Sequence, residues 1–129
     1  MSVLVDSSVW IDFFRKAKQM EALDYLIVED LVVINDLILA ELIPVLRLRR
    51  KLKHIRLLQI IHRPALTINW NELTEMQVIC LRKGINKIGI PDLIIAQHAI
   101  QNDLKLYSLD KHFKMLSNNF PLRLYQRLD

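Results

Sequence analysis

The chain has 129 residues, of which 52% are hydrophobic and 25% charged, a length of about one domain and a composition that argues against disorder. Two glycines and four prolines speak against a Gly-rich phosphate loop and a hairpin-rich sheet, and the single cysteine, Cys80, rules out an internal disulfide. A net charge of +4, from 18 Lys and Arg against 14 Asp and Glu, leans mildly toward polyanionic partners.

Along the chain, Val3–Val5 reads as a short buried strand that delivers a carboxylate, Asp6, at its end. A buried carboxylate is costly to ionise unless something pairs with it, so Asp6 has a structural partner or belongs to a site. Helices are expected at Ser8–Lys16 and Met20–Val28, then a second strand at Leu31–Ile34. Asp36–Ile61 reads as helix with breaks, and Glu41 stands alone in its apolar run LILAELI. Pro44 removes a backbone donor and crowds the Ala40 carbonyl, which predicts a kink one turn after Glu41. Residues 47–56, RLRRKLKHIR, hold six Lys or Arg, while Leu48, Leu52, Ile55 and Leu58 recur at helical spacing. That is the solvated face of an amphipathic helix, with or without a second use as a basic ridge for nucleic acid or an acidic partner. A third strand is expected at Leu66–Ile68, a helix at Asn71–Lys83, and another at Pro91–Asn102. Pro91 suits the first turn of that helix, and Asp92 the positive end of its dipole. Strands at Leu104–Tyr107 and Leu122–Leu124 follow, with Asp110 just beyond the first of them. Short apolar strands alternating with helices predict an α/β fold with a mainly parallel sheet covered on both faces. Without a repeat or linker, residues 1–129 read as one domain. No apolar run approaches the roughly 20 residues of a membrane span, and the start lacks a basic signal region, so a cytoplasmic protein is expected.

The acids carry the chemistry. In an open parallel sheet, the carboxyl ends of strands and the adjoining helix starts gather on one edge, where ligands bind. Asp6, Asp92 and Asp110 fall at that edge, and Glu41 joins them if its helix leans over it. Two unit charges about 5 Å apart repel by roughly 3 kcal/mol at an effective dielectric near 20, so such a cluster calls for cations. All-oxygen ligands suit Mg²⁺ or Mn²⁺, which can activate water against a phosphodiester. Three of the acids also have a plainer reading, Asp6 and Asp110 as helix caps and Asp92 as a first-turn acid, whereas Glu41, alone among Leu39, Ala40, Leu42 and Ile43, has no obvious cap role. Asp12, Asp24, Glu72 and Asp103 read as surface or local hydrogen-bonding groups, and Ser7, Ser8 and Ser108 as caps or as donors to a neighbouring carboxylate. His54, His62, His98 and His112 show no paired spacing and read as surface or satisfied residues.

In order along the chain, VDSSVWIDFF, LAELI, IPDLIIAQHAI and LYSLDKHF resemble the successive signatures of the PIN-domain family, in particular its VapC-type toxins. The resemblance implies a three-layer α/β/α sandwich with a central parallel sheet and an Mg²⁺- or Mn²⁺-dependent endoribonuclease. It matches Asp6, Glu41, Asp92 and Asp110 to the family's four acidic, metal-holding and catalytic positions, with Ser8 and Ser108 as supporting hydroxyls. It also implies a homodimer and a VapB-type antitoxin partner. Arg47, Arg49, Arg50, Lys51 and Lys53 are the candidates to position an RNA backbone or that partner.

Two other readings stay open. One keeps the fold without the reaction: a catalytically silent PIN-like module that binds RNA or a partner. The other is a phosphate-handling α/β domain phosphorylated on Asp6, against which Ser8 stands where a phosphatase of that kind needs a second Asp.

Overall fold

The structure, a computed structural model, describes residues 1–15 and 21–126. Lys16 and Met20, expected ends of the first two helices, lie outside the described residues. In chain order the elements are β1 (Val3–Val5), α1 (Ser7–Phe14), α2 (Glu21–Val28), β2 (Val32–Val33), α3 (Asp36–Leu48), α4 (Leu52–Ile60), α5 (Trp70–Arg82), α6 (Ile90–Gln101), β3 (Lys105–Tyr107), α7 (Lys111–Asn119) and β4 (Arg123–Leu124).

The four strands form one sheet in the order β2-β1-β3-β4, every pair parallel. The central register sets Leu4 against Val33 on one side and Leu106 on the other, and β1 is buried along its whole length. Strands this short and apolar need cover on both faces, and helices supply it. Helix α1 packs on α3 and α3 on α4, while α5 packs on α6 and α6 on α7, giving a three-layer α/β/α sandwich. Helix α6 is apolar nearly all round and buries seven consecutive residues, Leu93 to Ala99, as a helix enclosed by neighbours must. Among the described residues, no helix is long and apolar enough to cross a membrane.

Two expectations need correction. Leu66–Ile68 is not a strand. The chain instead makes one parallel bridge, His62 to Val33, with Ile34 N–H donating to the His62 carbonyl at 3.0 Å. Pro64 then removes a donor and ends the ladder. Leu66 and Ile68 still pack against the core, while Ala65 and Thr67 face water. An extended loop meets the same two-residue alternation without sheet partners.

The second correction concerns the helix over 47–58. Helix α3 runs on through Pro44 and ends at Leu48, and α4 begins at Leu52. Between them Arg50 adopts a left-handed φ of 53°, and Lys51 N–H bonds back to Leu46 at 2.9 Å. That is a helix-ending motif which usually takes glycine. The break turns the expected apolar stripe apart: Leu58 is 1% exposed but Leu48 is 85% exposed.

A carboxylate cluster at the sheet edge

Asp6 lies one residue past β1, and its N–H continues the sheet by donating to the Tyr107 carbonyl at 2.9 Å. It is the N-cap residue of α1, yet among the described residues its side chain makes no capping bond. Its Oδ2 instead accepts from Ser8 Oγ at 2.9 Å and Ser108 Oγ at 2.8 Å. Each hydroxyl has one proton, so the 3.3 Å contact between the two serines adds no second donation. Each serine oxygen in turn accepts a backbone N–H from the loop after β3: Leu109 to Ser8 and Asp110 to Ser108, both at 3.0 Å. A buried carboxylate, 5% exposed, is thus held by a two-step relay from backbone dipoles. Oδ1 remains the oxygen available to a further partner.

Asp110 caps α7, its Oδ1 accepting from His112 N–H at 2.9 Å, so its plainer reading is correct as far as it goes. The same geometry swings the His112 ring back over the cap. Its Nδ1 lies 3.2 Å from Asp92 Oδ2 and 3.6 Å from Asp110 Oδ1. Asp92 comes from the first turn of α6. Burial raises the affinity of Asp92 for a proton, the His112 hydrogen bond opposes this, and the Asp110 charge raises it further.

Glu41 projects from α3, which packs on α1. The residue is exposed overall, but neighbouring protein crowds its carboxyl enough to push it above the usual carboxylate range. The Asp6 charge adds to the shift, a hydroxyl contact from Ser7 reduces it, and the Asp92 charge raises it again. Glu41 thus lies within electrostatic reach of Asp6 and Asp92, and Asp92 of Asp110, while the group whose ligand atoms lie close enough to share one ion is Asp92, Asp110 and His112. All four acids come from different segments. Glu41 also lines a cavity of about 530 Å³ with Ile11, Phe14, Arg15, Arg49 and Lys51 on its walls.

The donor set fits a hard divalent cation. Ligand atoms of Asp92, Asp110 and His112 lie within 4.8 Å of one another, and burial, helped by the Asp110 charge, already raises the proton affinity of Asp92. Carboxylate oxygens suit Mg²⁺ and Mn²⁺, and an imidazole in reach tilts the set toward Mn²⁺.

Of the five expected cations, Arg49 and Lys51 line the Glu41 cavity, whereas Arg47 lines a separate groove with Ala40, Ile43, Pro44 and Leu48. Arg50 and Lys53 are exposed. Sequence reasoning missed Arg15 on the cavity wall and, above all, His112. The available signal was Asp-Lys-His at a strand-to-helix turn, where a histidine two residues after a capping aspartate returns to the cap.

A family model for the PIN domain matches residues 3–118. Among solved structures, the chain is similar to VapBC2 from Rickettsia felis bound to a DNA fragment from its promoter. That match has TM-score 0.73 and 21% identity over 97% of this chain and 98% of the other. FitAcB from Neisseria gonorrhoeae follows with TM-score 0.68 and 19% identity, covering 96% of each chain. VapC20 of Mycobacterium tuberculosis, a toxin that cleaves the sarcin–ricin loop, matches with TM-score 0.62 and 16% identity over 89% of this chain and 95% of that one. Among curated proteins, no sequence matches the chain.

Proposed function

The chain belongs to the PIN-domain family, and from that premise we propose that it is a divalent-cation-dependent endoribonuclease, the VapC-type toxin of a toxin–antitoxin pair. The observation that carries this reading is the approach of Asp92, Asp110 and His112 to within 4.8 Å of one another, with Asp6 tied to Asp110 through Ser108 and Glu41 within electrostatic reach. Mg²⁺ or Mn²⁺ held by these residues would stabilise charge on a phosphodiester and make water a better nucleophile near neutral pH. Ser8 and Ser108 keep Asp6 oriented by donating to one oxygen only. His112 sits between Asp92 and Asp110, where it tempers their repulsion or adds a nitrogen ligand. Arg15, Arg49 and Lys51, on the cavity wall beside Glu41, hold RNA phosphates. Arg50 and Lys53 are exposed in the same basic run, while Arg47 lines a separate groove.

A VapB-type antitoxin as partner is supported by the kind of assembly in which the similar chain from Rickettsia felis was solved. Pairing of two copies is supported by exposed apolar side chains such as Trp70 and Leu81 on α5, 61% and 54% exposed.

The test compares wild type with Asp6→Asn and Asp92→Asn on a mixed cellular RNA pool, with Mg²⁺ or Mn²⁺ and with chelator. Discrete cleavage by the wild type alone, lost with chelator and reduced at least about a hundredfold in either variant, is expected. Equal behaviour of the three proteins would count against the enzyme, and equal RNA binding without cutting would favour the silent module.

A further inference from the structure

Asn35 and His98 form a buried polar pair outside the carboxylates' own hydrogen bonds, at 0% and 1% exposure. Asn35 precedes α3, and its Oδ1 accepts from Ile38 N–H at 2.9 Å, capping that helix. Its amide nitrogen then points to His98 Nδ1 on α6, also at 2.9 Å. Because the oxygen is committed to the cap, the amide must donate, so Nδ1 accepts and the ring is neutral with its proton on Nε2. The Ala65 carbonyl acts on the ring from the connector after α4, although no partner among the described residues meets hydrogen-bond geometry at Nε2. Burial lowers the ring's proton affinity, which keeps it in the accepting form.

The placement along the two helices is reciprocal. Glu41 lies six residues after Asn35, and His98 lies six residues after Asp92. Asn35 meets His98 by a hydrogen bond, and Glu41 feels the charge of Asp92. The two helices therefore run in opposite directions here, joined at one level by the buried pair, with Glu41 and Asp92 each about 9 Å further along its own helix.

We propose that the Asn35–His98 pair is a positioning clasp that fixes α3 against α6, so that Glu41 and Asp92 reach the same cation. The proposal rests on the reading of the acids as a cation centre. Helices are stiff over two turns, and a tilt of about 10° at the clasp would move a carboxylate about 9 Å away by roughly 1.5 Å. Metal–oxygen distances tolerate only about 0.2 Å. A buried polar pair is a poor choice for stability alone, since apolar side chains of similar volume do as well, but it fixes one relative geometry.

The test measures Mn²⁺ affinity by calorimetry for wild type, His98→Leu, His98→Gln and Asn35→Ser, each with Glu41 present and with Glu41→Gln. Asn35→Ser keeps a capping oxygen while losing the amide donor, so it serves if His98→Leu fails to fold. His98→Leu and Asn35→Ser should weaken Mn²⁺ binding about tenfold with Glu41 present, the lower end of what supporting partners of metal ligands contribute. With Glu41→Gln the same changes should cost less than about twofold, because the ligand they position is gone. His98→Gln, which offers an acceptor oxygen, should restore much of the affinity. In the metal-free chain, spin labels on Arg47→Cys and Gln101→Cys should show a broader distance distribution with His98→Leu; the native thiol, Cys80, is buried. Equal losses with and without Glu41, or an unchanged distance distribution, would overturn the clasp alone. A wild type that binds no Mn²⁺ would overturn the cation reading and the purpose of the clasp together.

Discussion

At the scale of single residues, Glu41 and Asp92 carry a cost that the metal-free chain must bear. Both have folded-state proton affinities above their ordinary values of 4.5 and 3.8, so the fold binds protons at these sites more tightly than the unfolded chain does. Their contribution to stability is therefore fully present below those ordinary values and is lost as pH rises through the folded-state values. Glu41→Gln removes one such charge. In chelator at pH 7.5 it should raise stability by about 0.5 kcal/mol, a figure discounted for solvent screening at an exposed side chain. The difference from wild type should shrink toward pH 4 and reverse in Mn²⁺, where the carboxylate gains a partner. Melting curves across that range check this, and a Glu41→Gln chain less stable in chelator would contradict it. These residues were legible as acids in apolar surroundings. His112 was not, because its role depends on a ring folding back across a turn, which no spacing of histidines reveals.

At the scale of elements, the chain ends its helices largely without glycine. Asp30, Arg50 and Asp103 adopt left-handed φ of 55°, 53° and 53°, a conformation that costs a non-glycine residue about 1 kcal/mol. Arg50→Gly should relieve that strain at the α3–α4 break, offset in part by a freer unfolded chain, for a net gain of about 0.5 kcal/mol. Urea denaturation would show the midpoint moving up with unchanged slope; a lower midpoint would mean that the arginine stem packs usefully. The same break explains what the sequence hid. The leucines at 48, 52 and 58 look like one helical stripe until a left-handed residue turns the chain between them. Likewise Leu66 to Ile68 alternates like a strand, and the proline two residues earlier decides otherwise. Strands at Val3, Leu31, Leu104 and Leu122 were legible because buried parallel strands leave unbroken apolar runs. The loop had the pattern but no sheet to join.

At the scale of the whole molecule, a chain of net charge +4 sets Arg15, Arg49 and Lys51 on the walls of the cavity that Glu41 lines. Asp6 and Asp110 come within one serine of each other because parallel neighbours β1 and β3 deliver their carboxyl ends to a common edge, and that much was legible in the sequence. The division of the basic run between two grooves was not legible, since it depends on where α3 stops. On the proposed reading, Arg49 and Lys51 each neutralise one phosphate. In a cleavage-silent Asp6→Asn background, replacing both with Gln should reduce the salt slope of single-stranded RNA binding by about 1.4, at about 0.7 per phosphate. An unchanged slope would remove them from the RNA path.

The most direct measurement is an anomalous-scattering map from crystals of the wild-type chain soaked in Mn²⁺. The account predicts a peak within about 2.5 Å of carboxylate oxygens from Asp6, Asp92 and Asp110, with Glu41 turned toward it directly or through water. No peak there, with Mn²⁺ at a concentration that supports RNA cleavage, would contradict the claim that these acids converge to hold a cation.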